Sequence, residues 1–184
     1  MKSMQKGFTL AEVLITLGII GVVAALTIPT LMKNYEKKIT VTRLEKTYST
    51  LAQAMKMAQA EHGDVNTWDF SLSGKEFFDT YFSSLRKDAE YVFNPAIPQY
   101  KTLSGGLATG YYVVIKAGNV NVIELPSGAW ILYYYTGSTG HSDKLVEFHI
   151  DVNGPQKPNQ FGKDFFYLHL LKNGELVFFQ KKDG

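Results

Sequence analysis

The sequence predicts an α+β fold in which one long N-terminal helix packs on a C-terminal antiparallel β-sheet. Two observations predict it. Residues 8–62 are first apolar almost throughout and then apolar at alternating spacings of three and four. Residues 111–180 contain short segments rich in aromatic and β-branched residues, separated by turn residues. A chain of 184 residues has room for one domain of ordinary size and a membrane anchor.

The first element, residues 8–32, has the length of a membrane span. Residues 8–31 number 24, and residues 13–28 contain only two polar side chains, both threonine. About 20 such residues cross a hydrocarbon core of roughly 30 Å. Glu12 lies almost at the start of this segment, where burial of a carboxylate in lipid costs a few kcal/mol. A charge at such a position indicates a functional partner.

Two simpler interpretations of this segment are a cleaved signal peptide and a plain uncleaved anchor. Residues 23–25, Val-Ala-Ala, imitate a signal cleavage site, but the apolar stretch exceeds the roughly 7–15 residues of that class. Charge bias does not orient the segment, because lysines flank it on both sides. Two precede it (Lys2, Lys6) and three follow it (Lys33, Lys37, Lys38).

Residues 6–12, Lys-Gly-Phe-Thr-Leu-Ala-Glu, resemble the processing site of the type IV pilin superfamily. That superfamily includes type IV pilins, type II secretion pseudopilins and competence pseudopilins, and the match continues through Pro29. The resemblance implies a pilin-like fold, cleavage between Gly7 and Phe8 by a prepilin peptidase, and N-methylation of Phe8. Residues 1–7 are then a leader, and Glu12 becomes the fifth residue of the mature chain.

The resemblance gives Glu12 and Pro29 roles in assembly. In a filament, the Glu12 carboxylate can pair with the amino group that cleavage exposes on Phe8 of a neighbouring subunit. That contact favours the filament over the bilayer and helps to set the register of the subunits. The alternative is a tolerated charge that snorkels to the membrane interface. Pro29 falls where the superfamily places a helix proline, and it marks a site of bending or local melting unless the isolated helix stays continuous.

Residues 33–62 predict the amphipathic second half of the same helix, which extends over residues 9–62 and ends before Gly63. Its apolar residues share one helical stripe that we expect to pack on the sheet. The stripe consists of Val41, Leu44, Tyr48, Leu51, Met55, Ala58 and His62.

Residues 63–184 are expected to form a globular α+β head. Residues 63–74 predict a loop, residues 75–87 a short amphipathic helix, and residues 88–110, with two prolines, an irregular exposed segment. The strands of the sheet are expected at residues 111–116, 120–125, 129–135, 145–152, 165–171 and 175–180.

Residues 151–164 form the motif-like stretch of the head. Asp151, Asn153 and Asp164 supply oxygen donors of the kind that calcium prefers. The stretch fails the EF-hand pattern, although some pseudopilins of similar plan hold calcium in a C-terminal loop. The alternative, which we favour, is a turn in which these side chains bond their own backbone. No other cofactor is expected.

Composition narrows the function further. The chain has no cysteine, which excludes disulfides and thiolate chemistry. Its net charge of +2 disappears with residues 1–7, leaving 17 basic and 17 acidic residues and no electrostatic reason to bind nucleic acid. No nucleophile or phosphate-binding motif is present in the sequence, so an enzyme is not expected.

The resemblance therefore implies a structural subunit of a type IV pilus or a type II secretion-type pseudopilus. Its expected partners are itself and other pilin-like subunits, the prepilin peptidase/methyltransferase, the inner-membrane assembly platform and, before assembly, the lipid bilayer. It would cross the bacterial inner membrane once with its leader cytoplasmic, and later form a periplasmic or cell-surface filament. The alternative is a minor pilin or adhesin-like binding module, which binds a ligand through residues 88–110 or the aromatic strands.

Overall fold

A computed structural model describes residues 7–72, 74–87, 89–93, 96–108, 121–135 and 144–178. In this part of the chain, a long helix precedes a short helix and a six-stranded antiparallel sheet, so the predicted α+β fold is confirmed. The chain forms two compact units, residues Met1–Ile39 and Thr40–Gly184. The predicted leader, residues 1–7, lies outside the described residues except for Gly7.

The long helix α1 runs from Leu10–His62, one residue shorter at its start than predicted. It continues through Pro29, so the isolated chain has the continuous helix rather than a melted segment. Gly18 and Gly21 face open space, and the apolar side chains around them are exposed. Since the large side chains of this half of α1 are exposed in the described part of the chain, its helicity there rests on local hydrogen bonds rather than on packing.

The C-terminal half of α1 supplies one side of the core of the head. The predicted stripe is confirmed at Leu51, Met55 and Ala58, which are buried. Val41, at its N-terminal end, is 44% exposed. The helix ends at Gly63, whose positive φ of 81° suits glycine and whose N–H donates to the carbonyl of Gln59 at 2.9 Å.

Among the described strands, the sheet is a meander in which each strand pairs with the next described one. Five of the six predicted strands are confirmed, four with shifted ends and the one at residues 165–171 without a shift. The prediction at residues 111–116 lies outside the described residues. The strands are β1 Glu90–Phe93, β2 Asn121–Glu124, β3 Trp130–Tyr135, β4 Lys144–Asp151, β5 Phe165–Leu171 and β6 Leu176–Phe178.

Two predictions of local structure were wrong. Strand β1 lies in the segment predicted to be irregular, because the nearby prolines follow the strand and leave its ladder with β2 intact. The helix predicted at residues 75–87 divides into α2, Gly74–Tyr81, and a 3-10 turn, Ser83–Lys87. In the second part the N–H of Leu85 donates to the carbonyl of Phe82 at 2.9 Å, the three-residue spacing that is typical of a 3-10 turn.

The sheet buries side chains on both of its faces. One face packs with α1 and α2 around a large core that includes Ile131, Phe148 and Leu168. Residues of opposite parity on the same strands form a smaller cluster with Tyr100. We call this cluster the outer cluster; it consists of Tyr100, Val122, Trp130, Leu132 and Phe165.

Candidate functional site

The start of α1 is closed by a reciprocal contact between Thr9 and Glu12. The backbone N–H and the hydroxyl of Thr9 both donate to Oε2 of Glu12 at 2.8 Å, and the N–H of Glu12 donates to the Thr9 hydroxyl at 3.3 Å. This is a capping box, which satisfies two of the backbone donors that a helix start leaves free. The Glu12 carboxylate therefore has a local role in the isolated chain before any neighbour arrives.

The sequence analysis missed this role of Glu12. The signal was present, because a threonine followed three residues later by a glutamate, just ahead of an apolar run, is typical of a capping box.

The bond between Gly7 and Phe8 lies just before the helix. Gly7 and Phe8 are both outside α1, and the Phe8 side chain is 87% exposed. A peptidase requires an accessible, extended peptide bond, and a bond inside a helix would have to unwind first. The geometry at this position is therefore compatible with cleavage.

The apolar half of α1 presents its side chains outward on every side. Within the described residues, α1 is the helix that is long and apolar enough to cross a membrane, judged by length and composition. Its two threonines turn inward to the backbone: the hydroxyl of Thr16 donates to the carbonyl of Glu12 at 2.7 Å, and that of Thr27 to Val23 at 2.9 Å. These bonds satisfy both hydroxyls without water, as a lipid environment requires.

Pro29 lies in the last turns of this apolar half. It has no N–H, so the carbonyl of Ala25 lacks its usual helical partner although α1 continues. The position is therefore the weakest point for backbone hydrogen bonding in this half of the helix. The helix nevertheless stays continuous through this position in the isolated chain.

Asp151 lies at the end of β4, below the outer cluster. Its Oδ2 accepts a hydrogen bond from the Tyr100 hydroxyl at 2.7 Å, and its Oδ1 accepts one from the N–H of Asn153 at 3.3 Å. Burial raises the pKa of Asp151 to about 7, against the opposing effect of these two donors, and the nearby charge of Asp164 adds to the increase. Burial beside Asp151 also raises the pKa of Tyr100.

Asp164 closes the other end of the loop. Its Oδ2 accepts from the N–H of Asn159 and its Oδ1 from the N–H of Gln160, both at 2.7 Å. Asn153 donates through Nδ2 to the carbonyls of Gln156 and Lys157 at 3.1 Å. These contacts are the ones that the turn interpretation predicts, since each of the three side chains bonds the backbone of its own loop.

The calcium site built from Asp151, Asn153 and Asp164 stays a prediction. In its favour, Oδ1 of Asn153 and Oδ1 of Asn159 are buried without a hydrogen-bond partner in the described part of the chain. Against it, the described residues contain no group of three or more histidine, cysteine, aspartate or glutamate side chains placed to hold a metal. A calcium titration that leaves the melting temperature unchanged would reject the site.

The loop of residues 151–164 also forms hydrogen bonds with a second segment, residues 96–108, which we call the strap. The N–H of Lys101 donates to the carbonyl of Asn159 at 2.8 Å, and the N–H of Phe161 donates back to Lys101 at 2.9 Å. Nε2 of Gln160 donates to the carbonyls of Thr102 and Leu103 at 3.1 Å. Together with the Tyr100–Asp151 bond, these contacts hold the strap over the outer cluster.

We expect the stability of the head to decrease as the pH rises from about 4 to about 7, in part because of Asp151. Its pKa is 3.8 ordinarily and about 7 in the fold, so the folded chain keeps a proton that the unfolded chain releases. The contribution is complete below about pH 4 and is lost as the pH rises through about 7, on the order of 2–4 kcal/mol.

Unfolding of the full chain in detergent across this pH range, with a chelator present, measures the effect. Asp151→Asn removes the titrating group but keeps an acceptor for Tyr100, so its unfolding free energy should change less with pH than that of the natural chain. Parallel curves for the two proteins would contradict the prediction.

Two family models match this chain, one at its N-terminal segment and one over the rest of it. A family model described as "Family of unknown function (DUF6613)" matches residues 30–181, which is more than half of the chain. A second model, described as "Prokaryotic N-terminal methylation motif", matches residues 2–28. "Prepilin peptidase-dependent protein D" of Escherichia coli (strain K12) is 34% identical over 70 residues, which are 38% of this chain and 47% of that protein. The chain thus matches about half the length of this relative, and no solved structure matches.

Proposed function

The chain belongs to the family of unknown function (DUF6613) and, through its methylation motif, to the type IV pilin-like superfamily, and on this basis we propose that it is a structural filament subunit. The filament is a type IV pilus or a type II secretion-type pseudopilus. The protein is cut between Gly7 and Phe8 by a prepilin peptidase, methylated on Phe8 and polymerised. It is a substrate of enzymes and not itself an enzyme.

The exposed apolar half of α1 is the observation that carries this proposal. Large side chains such as Leu10, Leu26 and Leu31 are 69–78% exposed, and nothing in the described residues covers them. A continuous apolar surface of this size is not stable in water, so it requires lipid or other apolar helices. The same surface suits the membrane and then the filament, because the apolar halves of α1 from neighbouring subunits can replace the lipid around each helix.

A head-to-tail contact between the apolar halves of α1 in successive subunits produces an open filament. If the patch on one subunit binds a different patch on the next and the rotation does not close, a helical polymer grows. Glu12 is the charged residue in an otherwise apolar contact. Its carboxylate accepts hydrogen bonds from Thr9 in the free subunit and pairs with the Phe8 amino group of a neighbour in the filament. That amino group exists only after cleavage, so processing precedes assembly.

The proposed function also implies a location and a set of partners. The leader remains on the cytoplasmic side of the inner membrane, where the peptidase cuts it, and α1 crosses the membrane once. The head lies on the opposite side, and an inner-membrane assembly platform adds the subunit to a filament in the periplasm or at the cell surface. The exposed position of the bond between Gly7 and Phe8, ahead of α1, supports access by the peptidase.

The test is the N-terminal residue and intact mass of the protein in membranes and in sheared filaments. The natural chain and Gly7→Arg are expressed in cells with and without a prepilin peptidase. The natural chain should begin at methylated Phe8 only when the peptidase is present, and only this form should occur in filaments. Gly7→Arg should keep its leader in both strains. Recovery of the natural chain with Met1 attached, in membranes that contain the active peptidase, would overturn the proposal.

The strap favours a second candidate, a minor pilin with a binding head. Leu103 is 68% exposed and Leu107 is 52% exposed, on a segment that is held firmly to the sheet. Two exposed leucines on a fixed segment suit contact with another protein. Abundance separates the candidates: a major subunit should dominate the sheared filaments, and a minor one should be a trace component of them.

A further inference from the structure

Three lysines follow the apolar segment of α1 within six residues. Lys33, Lys37 and Lys38 are all exposed, and within the described residues no ion pair engages any of them. Glu36 is the one acidic residue among them. We call Lys33, Lys37 and Lys38 the lysine collar.

The spacing of α1 places this collar at the depth of lipid headgroups. Residues 13–32 number 20, and at 1.5 Å per residue they cross a hydrocarbon core of roughly 30 Å. Glu12 then lies at the inner boundary of the core and Lys33 at the outer one. Lys38 lies about 7.5 Å farther along the axis, and the headgroup layer is roughly 5–8 Å thick. Tyr35, 61% exposed, lies in the same layer, where tyrosine is enriched.

The proposed topology makes these charges unusual. Lysines that flank a membrane span are normally kept on the cytoplasmic side, whereas the collar lies on the side to which the head is moved. The two lysines before the span, Lys2 and Lys6, leave with the leader. The mature chain therefore carries its lysines beside the span only on the outer side, next to the headgroup layer.

We propose that the lysine collar binds anionic phospholipid headgroups at the outer surface of the inner membrane. Lysines in this layer are attracted to anionic lipids and contribute almost independently of one another. This binding would hold the subunit at a fixed depth until the assembly machine extracts it. The inference rests on the proposed function, because it needs α1 to cross the membrane with its leader inside.

Pairing with acidic residues of neighbouring subunits is the competing explanation. Residues 33–46 contain five basic residues and two acidic ones, Glu36 and Glu45. Copies of the same stretch that pack side by side would leave most of the basic charge unpaired. An anionic membrane surface has no such limit, and it is present before the filament forms.

The test measures the lipid preference of the full processed chain in vesicles. The protein is reconstituted in phosphatidylcholine with a trace of spin-labelled phosphatidylglycerol or spin-labelled phosphatidylcholine, and the motionally restricted fraction of each label gives its relative association. We expect roughly two- to fivefold stronger association of phosphatidylglycerol at low salt. The preference should disappear at about 1 M salt, where charges are screened beyond about 3 Å.

Two triple variants with the same change in charge complete the design. Lys33→Gln, Lys37→Gln and Lys38→Gln together should abolish the preference. Arg43→Gln, Lys46→Gln and Lys56→Gln together, at exposed positions farther along α1, should retain it. Equal association of both lipids with the natural chain would overturn the inference, and so would equal losses in the two variants. A collar variant that keeps the preference but forms no filaments would also overturn it, in favour of contacts between subunits.

Resistance to alkaline extraction from membranes separates this inference from the proposed function. A chain that is released by alkali is not inserted, and that result would refute the proposed function itself. A chain that stays inserted but shows no lipid preference would refute only the role of the collar. All the substituted side chains are exposed, so a matched melting temperature of the head in every variant is expected.

Discussion

Glu12→Ala is expected to lower the yield of sheared filaments at least about tenfold while leaving cleavage after Gly7 intact. In the proposed filament, the substitution removes the ionic contact between Glu12 and the Phe8 amino group of a neighbouring subunit. In apolar surroundings a charge-assisted hydrogen bond is worth about 1.5–3 kcal/mol. A loss of about 1.4 kcal/mol per added subunit already weakens addition tenfold. The measurement is the amount of subunit in sheared filaments, relative to the processed subunit that remains in the membrane.

Two control variants separate the two roles of Glu12. Thr9→Val removes the hydroxyl of the capping box but keeps the carboxylate, so it should cost about 1 kcal/mol of helix stability and permit assembly. Glu12→Gln keeps an oxygen for the Thr9 N–H but has no charge, so it should assemble as poorly as Glu12→Ala. Normal filament yields from Glu12→Ala would contradict the ionic role, and failure of Thr9→Val alone would assign the effect to the cap.

Asp164→Ala is expected to lower the free energy of unfolding of the head by about 3–5 kcal/mol. The substitution leaves the buried N–H groups of Asn159 and Gln160 without their acceptor, and each such loss costs about 1–3 kcal/mol. It also loosens the loop that holds the strap through Asn159 and Gln160. Relief of the repulsion with Asp151 offsets a part of this cost.

Denaturant unfolding of the full chain in detergent, monitored by tryptophan fluorescence, measures this loss. Trp130 belongs to the outer cluster and reports on the region directly. Lys163→Ala, at the exposed neighbouring position, should change the free energy of unfolding by less than about 0.5 kcal/mol. An Asp164→Ala midpoint equal to that of Lys163→Ala would show that the two backbone bonds do not stabilise the head.

The sequence predicted best those elements that a local pattern specifies. A run rich in aromatic and aliphatic residues located β5 at its observed bounds, and Gly63 marked the end of α1 because a positive φ suits glycine there. Strand β1 was missed because four residues beside prolines carry little local signal. Its place in the sheet comes from pairing with β2, about 30 residues away in the chain.

The contacts of the candidate loop were only partly predictable. Bonds from Asp164 to Asn159 and Gln160 are local, and turn chemistry predicted that kind of contact. The bond between Tyr100 and Asp151 joins residues 51 positions apart, and no periodicity in either segment relates them. The capping box of Thr9 and Glu12, in contrast, is predictable from four adjacent residues, because a threonine followed three residues later by a glutamate is its signature.

The tip of the strap offers a place at which foreign sequence can be displayed. The N–H of Thr102 donates to the carbonyl of Gly106 at 2.7 Å, so the strap closes on itself below its tip, and Ser104 and Gly105 are exposed beyond that bond. Exposed tips of this kind accept insertions because no buried backbone has to move. A short epitope grafted between Ser104 and Gly105 would leave the hydrogen bonds from Gln160 to the strap in place, so the folded head could carry the epitope on its surface.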